Sequence, residues 1–179
     1  MGTVSAAAGQ VRSEIRIRRP KFAEMWSAYP VGVSAKDAYR LAGGSVYEHY
    51  VEDPIAYANA CGVRLSRAFN YGGMEIPKGP GEYKLRGGDN KAYIMRVSDM
   101  LNFIRRQFGK PDLSIKTSGQ DAYIQLSGMK GIVIFEIAGW RNATGHVTLW
   151  DGMDCGDSCY FTHATSAEKT TAVHYWELK

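Results

Sequence analysis

Apolar positions recur along this chain at two spacings, and the change of period divides it. Up to about residue 108 the spacing is helical. Pro20 precedes Phe22, Met25, Trp26 and Tyr29, one face of a helix over 21–29 with proline at its start. Ser34, with Asp37 three residues on, resembles a capping box, and the helix it starts ends at Gly43-Gly44. Residues 45–53 are tyrosine-rich and read as irregular. Pro54 opens a helical stretch that ends near Asn70, before Gly72 and Gly73. One continuous helix fits this stretch, and so does a turn followed by a helix from Asn59; the capping preference of asparagine favours the second. Residues 76–89, with Pro77, Pro80 and four glycines, read as a long loop. Residues 93–97 are strand-like, and Ser98 is placed to cap a helix over 99–108. After that the period changes. Residues 123–126 read as a weak strand, and 131–139, a nearly continuous apolar run between glycines, as a central strand. Residues 146–150 alternate, with His146, Thr148 and Trp150 facing one side and Val147 and Leu149 the other. Residues 172–178 give the last strand. Helices first and an antiparallel sheet last make an α+β order.

Composition bounds this picture without changing it. The 179 residues, 45% apolar and 22% charged, suit one soluble domain with its own core. A net charge of +4 with scattered basic residues argues against nucleic acid as a partner. No run approaches the ~18 apolar residues of a membrane span. Residues 1–19 read as a disordered or loosely attached tail, with no basic segment leading into an apolar one and hence no secretory signal. Residues 20–179 form the single remaining domain.

Three cysteines split into a close pair, Cys155 and Cys159, and a lone Cys61, which suggests one disulfide and one reactive thiol. A helix starting near Asn59 would place Cys61 at its first turn, where free N–H groups and the macrodipole favour a thiolate. The bland alternative is a small buried apolar side chain. His146 starts a strand after Gly145, which leaves room for a substrate, and Asp151, Asp154 and Asp157 follow closely. A cysteine, a base and a group to orient the base are the minimum for covalent acyl transfer. Asp157 stands in the middle of Cys155-Gly156-Asp157-Ser158-Cys159. A disulfide closing so short a loop would stabilise the fold by about 2 kcal/mol, so its use would be to direct Asp157. The competing reading takes these aspartates as turn residues. A zinc set of His146, Cys155, Cys159 and His163 can also be written, although the histidine offsets fit no common pattern. Otherwise His49, His163 and His174 read as surface or core residues. No metal or other cofactor is expected.

The stretch Asn59-Ala60-Cys61-Gly62-Val63-Arg64-Leu65-Ser66 carries a resemblance together with Gly131-Ile132-Val133-Ile134-Phe135, Gly139-Trp140, Gly145-His146-Val147-Thr148-Leu149-Trp150-Asp151-Gly152 and Cys155-x-Asp157-x-Cys159. Pro20-Lys21-Phe22 with Trp26, Tyr93-Ile94-Met95-Arg96-Val97 and Gly109-Lys110-Pro111-Asp112 extend it. Jointly these segments resemble family 4 of the type VI secretion amidase effectors, papain-like, NlpC-type cysteine hydrolases. The resemblance implies that residues 20–179 are a catalytic domain, with Cys61 as nucleophile, His146 as general base, Asp157 as its orienter and Cys155–Cys159 as the family's disulfide. It implies cleavage between γ-D-glutamate and meso-diaminopimelate in the peptidoglycan stem peptide. It also implies delivery by the type VI secretion apparatus into the periplasm of struck bacteria, and blockade by a cognate immunity protein. Gly145 and Trp150 are expected to contact substrate. Gly62 departs from the pattern, where a residue with a side chain is expected, and either widens the cleft floor or means little. The rival functions are a zinc-dependent amidase using His146, Cys155 and Cys159, and a non-catalytic cell-wall-binding or inhibitor-binding module.

Overall fold

A computed structural model describes residues 3–8, 11–16, 18–116, 119–140, 143–163 and 167–179, with the backbone alone at 3–8, 11–16 and 119. The expected tail carries two strands, β1 (Thr3–Ala8) and β2 (Val11–Arg16), paired antiparallel from Thr3↔Arg16 to Ala8↔Val11. Val4, Val11 and Ile15 favour extended chain, which accounts for strands in a segment expected to be disordered or loosely attached. This ribbon pairs with no other strand among the described residues, and residues 1–2, 9–10 and 17 of the tail lie outside them.

Helix α1 (Phe22–Ala28) follows Pro20 and buries Phe22 and Met25. The Phe22 N–H donates to the Lys179 carbonyl at 2.8 Å, tying the start of the domain to its end. Ser34 caps α2 (Ala35–Ala42), its hydroxyl accepting from the Asp37 N–H at 3.1 Å. Of residues 45–53, expected to be irregular, 45–52 belong to α3 (Gly44–Glu52) and Asp53 is its C-cap. Gly43 and Gly44, at φ 64° and 53°, turn the chain into a second helix where the sequence suggested a stop. The tyrosines there pack on α2, with Tyr50 stacked on Tyr39 at 4.9 Å between centroids.

Residues 54–57 form a turn, and α4 (Cys61–Tyr71) begins after it, so the turn-then-helix alternative holds. Nearly every residue of α4 is buried, because α1, α2 and α5 (Val97–Phe108) and the strands β4 (Ala92–Ile94) and β7 (Gly145–Trp150) surround it. Its buried polar groups are satisfied: the Ser66 hydroxyl accepts from the Ile94 N–H, and Asn70 bridges Ile76 and Ala92. Gly62 is required here by packing. A Cβ at this position would lie 2.7 Å from the Ile94 carbonyl oxygen, so the missing side chain admits β4 and does not widen a cleft floor.

The expected long loop at 76–89 contains β3 (Lys84–Arg86), which pairs with β4 through a turn at Asp89 and Asn90, the latter at φ 63°. Helix α5 starts one residue before Ser98, with Arg96 at the cap position and no side-chain cap. The weak strand expected at 123–126 is the end of α6 (Gly119–Leu126), whose Ala122 and Leu126 are buried one turn apart. Strands β5 (Leu113–Ile115), β6 (Gly131–Ala138), β7 and β8 (Lys169–Glu177) make an antiparallel sheet in the order β5-β8-β6-β7. Ile132, Ile134, Val147, Leu149 and Trp176 join the α4 and α5 core, whereas Val133, Phe135, Trp150 and Tyr175 join Phe161, Ala122 and Leu126. The α+β order expected from the sequence holds, and the central apolar helix is pinned against β7. Among the described residues no helix is long and apolar enough to cross a membrane.

Candidate active site

Cys61 is the first residue of α4 and His146 the second of β7, so the contact between these two elements brings the two side chains together. Cys61 is buried, 3% exposed, as the bland reading expected, yet it stands at the helix N-terminus and not in mid-helix. The sequence placed the cap at Asn59; Ala60 occupies that position, and Asn59 Oδ1 instead accepts from the Cys61 N–H at 3.0 Å. The backbone donor closest to the thiol is therefore occupied.

His146 Nε2 lies 3.0 Å from Asp157 Oδ1, while the buried Nδ1 has no hydrogen-bond partner. Burial lowers the affinity of the ring for a proton, but Cys61 and Asp157 outweigh it and raise the pKa from 6.5 to about 10. Nδ1 is the nitrogen left to serve Cys61. Asp157 is held below its ordinary range: burial opposes ionisation, but His146, the Thr148 hydroxyl and Arg64 favour it more. Arg64 Nε stands 3.7 Å from Asp157 Oδ2, and Arg64 Nη1 donates to the Pro30 carbonyl at 2.7 Å. A helical offset of three residues sets Arg64 on the same side of α4 as Cys61.

The loop that carries Asp157 is closed by the Cys155–Cys159 disulfide, with 5.5 Å between Cα atoms. The Gly156 N–H donates to the Leu149 carbonyl at 2.8 Å, and a Cβ on Gly156 would lie 2.7 Å from the Tyr29 ring, so the loop sits tightly against β7 and α1. The disulfide also corrects the zinc alternative, because sulfurs bonded to each other are not thiolate ligands. His163 faces Thr170, and His174 faces Ser114 and Glu136.

Two expected substrate contacts are corrected. Trp150 is fully buried, its indole N–H donating to the Leu126 carbonyl at 2.8 Å. A Cβ at Gly145 would lie 2.0 Å from the Phe135 carbonyl oxygen, so that glycine lets β7 approach β6 and leaves no room for a ligand. The cleft has two branches. One, of about 360 Å³, is lined by Cys61, Tyr57, Tyr83, Arg96 and Ser98 among others. The other, of about 590 Å³, is lined by His146, Asp157, Trp140, Tyr160 and Glu168 among others. Arg64 and Tyr160 were not singled out in the sequence reading; a charged residue one turn after Cys61 in an otherwise core-forming helix is the signal for the first. For Tyr160, whose ring meets His146 edge-on at 4.9 Å, no local signal exists.

The model of the family described as type VI secretion system amidase effector protein 4, Tae4, matches residues 57–176. The chain belongs to this family. It is thus an amidase effector, a hydrolase, with an α+β fold in which a cysteine at a helix N-terminus meets a strand histidine, the papain-like arrangement. Tae4 from Salmonella typhimurium, in complex with the immunity protein Tai4 from Enterobacter cloacae, is 35% identical with a TM-score of 0.80, over 90% of this chain and 100% of that one. The Tae4–Tai4 complex from Enterobacter cloacae is 36% identical with a TM-score of 0.79, over 90% and 100%. Tae4 of Enterobacter cloacae without a named partner is 36% identical with a TM-score of 0.79, over 92% and 100%. A comparison with curated proteins finds no match.

Proposed function

We propose that this Tae4-family chain hydrolyses the amide between γ-D-glutamate and meso-diaminopimelate in the peptidoglycan stem peptide, with Cys61 as nucleophile, His146 as acid and base, and Asp157 as orienter. The observation that carries the reading is a buried imidazole raised to about 10 between a thiol at a helix N-terminus and an ionised carboxylate. The Cys61 thiolate attacks the γ-carbonyl carbon, forming the C–S bond and moving the π electrons onto oxygen. Collapse of this intermediate breaks the C–N bond, and the departing nitrogen takes the proton from His146 Nδ1. His146, now neutral, removes a proton from water as its oxygen attacks the thioester, and the thiolate leaves. The Cys61 N–H can hold the oxyanion only after Asn59 Oδ1 releases it, so substrate entry displaces that side chain. A non-catalytic binding module has no use for an imidazolium buried beside a thiol.

The catalytic unit is the domain at 20–179, with the N-terminal ribbon outside it. Tae4 of Salmonella typhimurium and Tae4 of Enterobacter cloacae have each been solved in complex with a Tai4 immunity protein, and we infer that a cognate immunity protein seals this cleft. Delivery by the type VI apparatus into the periplasm of target cells places the chain where the Cys155–Cys159 bond persists. The test is Cys61→Ala: the variant is expected to melt like the parent and to leave muropeptides intact by mass spectrometry. Retained cleavage would refute the mechanism.

A further inference from the structure

The two branches of the cleft share Ala56, Asn59 and Ala143, and the reacting groups divide between them: Cys61 lines the smaller branch and His146 the larger. In cysteine hydrolysis the leaving amine must meet the protonated imidazole, so the leaving half of the substrate occupies the His146 branch. The acyl half then extends into the smaller one. Among the described residues lining that smaller branch, Arg96 is the one charged side chain; Asn59, Tyr57, Tyr83, Ser98 and Thr144 are polar but neutral. Its guanidinium rests over the Tyr83 ring, 4.7 Å from the centroid, and no carboxylate of a described residue pairs with it. Arg19, Arg40, Arg64 and Arg106, by contrast, each face an aspartate or glutamate. Arg96 is therefore a cation held on an aromatic shelf, open to the cleft and lacking an anion.

On the reading of the reaction given above, we propose that Arg96 binds the free α-carboxylate of the γ-linked glutamate and so selects the acyl half of the substrate. A γ linkage routes the backbone through the glutamate side chain, so methylenes follow the scissile carbonyl and the α-carbon beyond them carries the amide to L-Ala and a free α-carboxylate, the anion of the acyl half. That carboxylate is a short carbon chain away, on the side opposite the leaving amine. An ordinary α-linked peptide has no anion there. The planar guanidinium accepts a carboxylate in two parallel hydrogen bonds, and stacking on Tyr83 limits the rotamers that binding must freeze.

The test uses the full chain and two synthetic tripeptides, L-Ala-γ-D-Glu-meso-diaminopimelate and its analogue with the glutamate α-carboxylate converted to carboxamide. The parent is expected to prefer the carboxylate substrate by about 10- to 100-fold in kcat/KM, the effect of a charge-assisted contact. Arg96→Gln should lose that preference by slowing on the carboxylate peptide alone, and Arg96→Lys should recover part of it. An equal loss on both peptides, an unchanged preference in Arg96→Gln, or no preference in the parent overturns the proposal. A third peptide, amidated on diaminopimelate instead, checks the orientation: if Arg96→Gln changes only the discrimination at that end, the assignment of the branches is wrong. If the parent cleaves no γ-linked peptide, or Cys61→Ala cleaves them, the proposed reaction itself fails. If Cys61→Ala is dead and the Arg96 variants discriminate like the parent, only the role of Arg96 fails.

Discussion

Replacing Asp157 by asparagine keeps the shape of the site and removes one of the two charges that hold the His146 proton. Burial pushes the imidazole below its ordinary 6.5, yet it sits at about 10, lifted by Cys61 and Asp157. A rise of that size corresponds to about 5 kcal/mol in favour of the protonated ring. Cys61 and Asp157 both raise the value, so removing the Asp157 charge is expected to withdraw roughly 2 kcal/mol of that preference. The sign follows from the proposed reaction, which needs the ring protonated to release the amine. In the parent, activity should persist above neutrality and fall only as pH rises through about 10. In Asp157→Asn the alkaline limb should move down to about pH 8–9. The rate below that limb should fall by about 10²- to 10³-fold, because the ring loses its orienter. Muropeptide turnover followed by chromatography from about pH 5 to about pH 11 reads both effects. An alkaline limb at the same pH in parent and variant would falsify the view that Asp157 supports the imidazolium.

Three further outcomes follow from the same geometry. Arg64→Met keeps most of the packing but leaves the Pro30 carbonyl without its 2.7 Å donor and Asp157 without its cation, so denaturant melts should show a loss of about 2–4 kcal/mol. The lowered pKa of Asp157 means that its carboxylate stabilises the fold above the ordinary range and ceases to as pH falls through the lowered value; without Arg64 that value climbs, and acid unfolding should begin at higher pH. Gly62→Ala forces a Cβ to within 2.7 Å of the Ile94 carbonyl oxygen, and should cost about 1–3 kcal/mol by thermal melt; a neutral result would mean that β4 moves freely away from α4. Asn59→Asp should hold the Cys61 N–H more tightly and set a charge beside the nascent oxyanion, lowering kcat by about tenfold or more in the muropeptide assay, whereas Asn59→Ala should not.

Which parts of this molecule were legible in the sequence depends on whether their causes are local. The break before α4 was, because Pro54 and Asn59 act within a turn of the residues they affect, and so were β6 and β7, whose apolar runs are long enough to show their period. Strands β3 and β5 span three residues each, too few for any period to register. Helix α6 was misread because its conspicuous apolar residues, Tyr123 and Ile124, are exposed, while the smaller Ala122 makes the buried contact with Leu126. Trp150 was misassigned to substrate because alternation separates the two faces of β7 without saying whether either is open, and both are covered. The partners of Arg64, namely Pro30, Val33 and Asp157, come from segments far apart in the chain, and only the folded structure joins them.

The burial of Cys61 bears on how such a site can be both sealed and reactive. A thiol 3% exposed beside a histidine 2% exposed is shielded from bulk solvent, so electrostatic interactions at the site are stronger than in water. Isolated, an ion pair there would be destabilising, since desolvation outweighs a single attraction. Here the cost is spread along a connected series: Cys61 to His146, His146 to Asp157, and Asp157 to Arg64, whose Nη1 and Nη2 end on the Pro30 and Val33 carbonyls. Each charge has a partner, and the series ends at neutral backbone oxygens on the connection between α1 and α2. Arg64 lies one turn along the same helix as Cys61, so α4 supplies both the proposed nucleophile and the cation that faces Asp157. The disulfide loop needs only to present one aspartate between them, which explains why a short bridge of about 2 kcal/mol stands at this point of the chain.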